Sequence, residues 1–221
     1  MNNTATPDSQ ALHSDRTAAH PISALFLQRW SPRSFDPISM PESDLLTILE
    51  AARWAPSAFN IQPWRFIYTL RGKANWKDWL ELLDPFNASW ASNAAALVFL
   101  VSDTLTSAYK GNSAKPSRTH SFDAGAAWAH LALQATASGY QAHAMAGIHF
   151  EAVQQQLAVP DHYRVEIAVA IGRQAPPSRL PQALREREFP SSRLPLQQIA
   201  FRDVFAASAN ALESADGGSE Q

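Results

Sequence analysis

A mixed central β-sheet flanked by helices is the fold the sequence predicts, and three observations carry that reading. Three short runs, WRFIYTL, AALVFLVS and VEIAVAIG, are β-branched or aromatic and each closes on a turn signal, as strands do. Helical runs outnumber them, and the strands look central. The chain's 221 residues, 46% of them hydrophobic, suffice for one core in a size class that buries roughly 70% of its unfolded surface.

Taken in order, residues 1–20 are polar and aperiodic, so a loose N-terminal tail is expected there. The clearest helix signal follows in SMPESDLLTILEAARW. Ser39 and Glu42 have the spacing of a capping box, and Leu45, Ile48, Leu49 and Ala52 form the i, i+3, i+4, i+7 stripe that Pro56 ends. A second amphipathic helix is predicted in ANWKDWLELLD, with Trp76, Trp79, Leu80 and Leu83 on one face, and a shorter one in HFEAVQQQLAVP, stopped by Pro160. The run SFDAGAAWAHLALQATASG is apolar almost all round. It reads as a helix buried on every side, either in the middle of a domain or in a subunit interface. The polar stretch 103–121 is long for a connector and is either a disordered loop or a lid. One domain over residues 21–206 and a second loose tail over 207–221 complete the organisation.

Composition narrows the function. A net charge of -2, from 18 basic and 20 acidic residues, gives no field for holding nucleic acid or an anionic membrane. No cysteine is present, which excludes disulfides, thiolate metal sites and cysteine nucleophiles, so a redox role needs a cofactor. The N-terminus lacks a secretory pattern, and AAALVFLV is far short of the ~20 residues of a membrane helix, so a cytoplasmic protein is expected. Seven histidines show no metal-ligand spacing such as H-E-x-x-H, and no metal site is expected. Ser57 lacks the hydrolase elbow G-x-S-x-G. Trp76, Trp79 and Trp90 are expected in the core.

Neither G-x-G-x-x-G nor G-x-x-x-x-G-K-[ST] occurs, so phosphate must be held otherwise. The candidate is QRWSPRSFDP: Arg29 ends a predicted helix, Pro32 turns the chain, and Arg33 follows, so that two planar guanidinium forks could converge with Ser31 beside them. Taken alone, this pair is a solvated basic helix end. The stretch APSAFNIQPW crowds Ser57, Asn60 and Gln62 into one turn, which is either plain loop chemistry or a set of groups held out for a flat, polar-edged ligand.

The conjunction of RWSPRSF, APSAFNIQPW, MAGIHF, VAIGR and EFPSSRLPL, in that order, resembles the FMN-dependent nitroreductase family, in particular its short members. The resemblance implies an α+β fold built as an intertwined homodimer with two FMN sites at the subunit interface. By that resemblance Arg29 grips the FMN phosphate, Trp30 and Ser31 line the ribityl side, and Arg33 lies at the pyrimidine edge of the flavin. There a fixed cation stabilises the negative charge of reduction. Pro56, Ser57 and Asn60 are implied to come from the partner subunit, while Gln62 and Trp64 fix the turn and the core. Met145 and Gly147 of MAGIHF bring main chain toward flavin N5, and Arg193 reaches the phosphate. Ala146 stands where many relatives carry an acidic residue. His143 and His149 flank that loop and either donate to a substrate or are packed or solvated like the others.

The implied activity is an FMN oxidoreductase that takes hydride from NAD(P)H and reduces small electron-poor acceptors such as nitroaromatics or quinones in two alternating half-reactions. No side chain is required as nucleophile or acid. A non-enzymatic FMN-binding or storage module and a flavin reductive dehalogenase are the alternatives.

Overall fold

The structure, a computed structural model, describes residues 16–106 and 113–205. The described residues fall into two compact units, one within residues 22–190 and one of residues 16–21 with 191–205. The first contains a four-stranded sheet in the order β1-β2-β6-β5, made of β1 (Trp64–Leu70), β2 (Ala96–Asp103), β5 (Gln141–Met145) and β6 (Tyr163–Gly172). A small ladder of β3 (Leu105–Thr106) and β4 (Lys115–Pro116) stands apart. The helices are α1 (Ala24–Gln28), α2 (Glu42–Arg53), α3 (Trp76–Leu80), α4 (Pro85–Ala91), α5 (His120–Ala137), α6 (Phe150–Gln156) and α7 (Gln182–Arg185).

The α+β class and the helix-flanked sheet stand as expected. The pairs within the sheet are all antiparallel, however, rather than mixed. The connections explain why. The segment between β1 and β2 carries two helices yet returns to the end it left, where Arg71 N donates to Ala95 O at 2.9 Å, so no crossover arises.

β2 is buried on both faces and divides the core. Ala96, Val98 and Leu100 pack with Leu45, Ile48 and Ala52 of α2 and with Ala127, Leu131 and Ala135 of α5. Leu97, Phe99 and Val101 face a second cluster with Trp79, Leu83, Trp90 and Val153. Trp79 and Trp90 are therefore core residues, as expected.

Two helix expectations need correction. The capping box at Ser39 does not form: α2 begins at Glu42 behind Pro41, which has no side-chain cap to give. Ser39 lies too far upstream of the first unpaired amides to reach them. The helix in ANWKDWLELLD ends at Leu80, and the chain turns so that Asp84 can cap α4 through Asn87 N at 2.6 Å. Within one chain α5 buries Asp123, Ala124, Ala127, Leu131, Ala132 and Ala135, while Phe122 is 80% exposed. QAHAM, which carries no strand signal in the sequence, is a fourth strand of the sheet, β5.

Residues 107–112 of the expected loop or lid lie outside the described residues, as do 1–15 and 206–221 of the two expected tails. Among the described residues no helix is long and apolar enough to cross a membrane, and no group of three or more His, Asp or Glu could hold a metal ion.

Candidate functional site

The RWSPRSF segment runs past the exit of β6. α1 is capped by Ser23, and Arg29 closes it in an extended conformation. Beyond, Phe35 bridges to Gln174, Ala175 N donates to Ser34 O at 2.9 Å and Asp36 N to Arg173 O at 2.9 Å. Phe35 lies against Gly172, where an added Cβ would come within 3.0 Å of its ring. The VAIGR glycine thus exists to admit Phe35, which ties two of the motifs together through packing.

Three side chains hold the turn. The indole of Trp30, itself buried, donates to Gln174 Oε1 at 3.3 Å. His143 Nδ1 donates to Pro32 O at 2.9 Å, and the imidazole packs on Trp90 with centroids 4.6 Å apart. The carboxylate of Glu188 accepts the N–H groups of both Arg33 and Ser34 on one oxygen, each at 2.7 Å. Burial pushes the His143 pKa down to about 4, and the nearby charges of Arg33 and Arg29 act in the same direction. At neutral pH the ring is therefore uncharged, with its proton on Nδ1 toward Pro32. The same effect shows that both arginines lie near this ring. Ser31 Oγ accepts from Arg29 at 3.4 Å. Arg33 Nε is buried with no partner among the described residues.

The 57–62 loop is a different object. Phe59, Asn60 and Gln62 all take left-handed backbone angles, with φ of 51°, 55° and 54°, which non-glycine residues adopt at a cost. The loop closes on itself: Gln62 N donates to Ser57 Oγ at 2.9 Å, and Gln62 Nε2 to Asn60 O at 3.2 Å. Ser57 and Gln62 both take part in closing the loop, and Trp64 is buried in the core. Asn60 is exposed, and its amide makes no hydrogen bond among the described residues. Pro56 is exposed beside it. From α5, the buried carboxylate of Asp123 accepts Ala58 N at 3.3 Å on both oxygens and Thr119 Oγ1 at 3.1 Å.

In one chain the two motifs do not meet. The 57–62 loop precedes Trp64, which pairs with Ser102, whereas the Arg33 turn lies beyond Gly172, at the end where Leu70 pairs with Ala96 and Ala96 with Ile171. They also flank opposite edges, β1 and β5. Seven residues of strand and three strand spacings put them roughly 25 Å apart.

MAGIHF leaves the end of β5 on the same edge as His143. Met145 is buried in the core. Gly147 packs on the α4 cap, where an added Cβ would overlap the Asp84 carboxylate and come within 2.6 Å of Asn87 Nδ2. Its carbonyl accepts from Asp84 N and Asn87 Nδ2, both at 3.0 Å. Its lack of a side chain thus has a reason inside the chain. His143 is committed to the turn and His149 is exposed at the start of α6, so of the two only His149 is open to a solute. Arg193 belongs to the other unit, where it donates to Ser191 and Ser192. Sequence reasoning missed Glu188 and Asp123, because a lone acidic residue carries no spacing signal.

The model of the nitroreductase family matches residues 26–173. A solved structure described as an oxidoreductase containing FMN is 46% identical, covering 94% of this chain and all of that one, with a TM-score of 0.85. A CLA biosynthesis enone reductase of Lactiplantibacillus plantarum is 29% identical over 70% of this chain and 86% of its own length. An NADH dehydrogenase of Thermus thermophilus is 29% identical over 79% of this chain and 92% of its own. With the Arg33 turn, the Gly172 contact and the strained 57–62 loop all inside one matching fold, this chain belongs to the nitroreductase family.

Proposed function

We propose that the chain is an FMN-dependent oxidoreductase that uses NAD(P)H to reduce small electron-poor molecules, such as nitroaromatics or quinones, in two alternating half-reactions, and that it works as a homodimer. The observation that carries the reading is the Arg33 turn. A buried guanidinium Nε stands without a partner near a neutral histidine, in a turn whose Arg33 and Ser34 amides are already taken by Glu188. An open guanidinium donor fits an anionic, oxygen-rich ligand, and FMN is one.

Bound FMN supplies hydride acceptance and donation, a chemistry no side chain of this protein has. Arg29 holds the phosphate, and Trp30 and Ser31 flank the ribityl chain. Arg33 sits at the pyrimidine edge, where its charge favours the reduced state. His143, uncharged, keeps the turn in shape without adding a third cation. Met145 and Gly147 present main chain at the β5 edge.

The roughly 25 Å between the Arg33 turn and the 57–62 loop supports a composite site. Pro56, Ser57 and the uncommitted Asn60 amide belong to the site of the partner, and a second copy covers Phe59, Phe122 and the outer face of α5. Residues 21–206 act as the working domain.

Anaerobic mixing of the purified protein with NADH or NADPH tests the activity: the flavin absorbance bleaches if the reading holds. A yellow protein that does not bleach with either is a binding module instead. Heat release and chromatography must recover FMN, and recovery of FAD overturns the cofactor assignment.

A further inference from the structure

Glu188 lies 155 residues from Arg33 in sequence and is 6% exposed. Its Oε1 collects the amides of Arg33 and Ser34, two successive donors on one oxygen. Its Oε2 is buried without a partner among the described residues, and so is Arg33 Nε. No ion pair joins the two groups. A buried carboxylate normally closes on the nearest guanidinium as a two-pronged pair, which would cancel the arginine and turn its donors away from any ligand. Here the carboxylate takes the main chain instead and leaves the arginine's donor open. The charge is nonetheless close enough to act on Arg33, whose own ionisation is pulled down by burial and pushed back up by Glu188.

We infer that Glu188 is the positioning residue of this site: it places Arg33 through the main chain, and its buried negative charge holds down the potential of the flavin bound there. The inference rests on the FMN reading above. The two roles separate by substitution. Glu188→Gln keeps an oxygen for the two amides but removes the charge, whereas Glu188→Ala removes both.

In flavin-free protein, exchange of the Arg33 and Ser34 amides with solvent should accelerate in Glu188→Ala and stay slow in Glu188→Gln. FMN affinity should fall by about tenfold or more in Glu188→Ala. Adding Arg33→Ala to that variant should cost little more, because the arginine is already misplaced. Glu188→Gln should bind FMN like the parent, with a raised midpoint potential. If Glu188→Ala does not fold, Glu188→Asp, one methylene short of the amides, takes its place with the same directions at smaller size.

Unchanged amide exchange in Glu188→Ala, or a full Arg33→Ala penalty on top of it, overturns the positioning role. An unchanged potential in Glu188→Gln, while Arg33→Ala alone lowers the potential, overturns the charge role. If Arg33→Ala alters neither affinity nor potential, the FMN reading of Arg33 fails. The amide exchange, measured without flavin, still decides the role of Glu188.

Discussion

The Arg33 turn and the 57–62 loop are both short, both irregular and both carried by motifs of the same family, but they are held in opposite ways. The turn is relaxed and stabilised by side chains from distant sequence, Glu188 and His143, that satisfy its main chain and leave a charged donor open. The loop closes mainly through its own hydrogen bonds, with Asp123 anchoring it at Ala58, holds three residues in left-handed angles, and presents Asn60 and Phe59, the latter 87% exposed, to the outside. In the composite site proposed above, the difference assigns the turn as receptacle and the loop as insert. A receptacle must keep its donors unspent, whereas an insert must be stiff before it meets anything, and stored strain is the cost of that stiffness.

The largest effect expected from breaking this contrast is at the anchor of the loop. Asp123→Ala leaves Ala58 N–H and the Thr119 hydroxyl without their acceptor, and should destabilise the protein by about 3–4 kcal/mol in urea unfolding. A loss below that of an ordinary surface substitution would show that the loop needs no anchor.

Next comes acid on the turn. His143 titrates near 4 in the folded protein against an ordinary 6.5, so the unfolded chain binds the extra proton first. Stability from this residue is therefore intact above about pH 6.5, declines as pH falls from there to about 4, and is flat below, with a total loss of about 3 kcal/mol. His143→Asn, which can still donate to Pro32 O, should remove that slope. Urea midpoints for both proteins between pH 7 and 4 check it.

Arg29→Ala and Arg33→Ala divide the receptacle itself. Arg29→Ala should weaken FMN binding by about 1.5–3 kcal/mol, roughly ten- to a hundredfold, yet turn over once saturated. Arg33→Ala should weaken binding less and lower the midpoint potential at full occupancy. Flavin titration and potentiometry assign the two ends, and a potential shift confined to Arg29→Ala reverses them.

The smallest effect sharpens the idea of an insert. Phe59→Gly removes the penalty of a φ of 51° and should stabilise a single chain by about 1 kcal/mol. Light scattering should show weaker self-association in the same variant, and unchanged association would take Phe59 out of the interface.

Much of this was legible in the sequence, for reasons that differ by element. β1, β2 and β6 announce themselves because buried strands need β-branched and aromatic residues, and the motifs could be placed because their order along the chain is itself a signal. β5 was hidden: QAHAM has no β-branched residue, and its strand character comes from pairing with β6. α4 carried its signals, Asp84 and then Pro85 at the first turn, but they were absorbed into the tail of the preceding helix. The antiparallel sheet followed from where the connections return. Glu188 and Asp123 could not be found, since their partners are 155 and 65 residues away and only folding brings them together.

That separation has a consequence for how the molecule is made. During synthesis the Arg33 turn emerges early, yet the oxygen that organises it is in residue 188, and the imidazole that holds Pro32 is in residue 143. A nascent chain can build much of its sheet while its arginines remain on an unformed strand of backbone. Contacts of such long range are closed late in folding, because the entropy of the whole intervening loop must be lost first. The Arg33 turn is therefore among the last parts of the chain to mature, and with FMN bound there as proposed, flavin capture waits for a protein that is otherwise nearly complete.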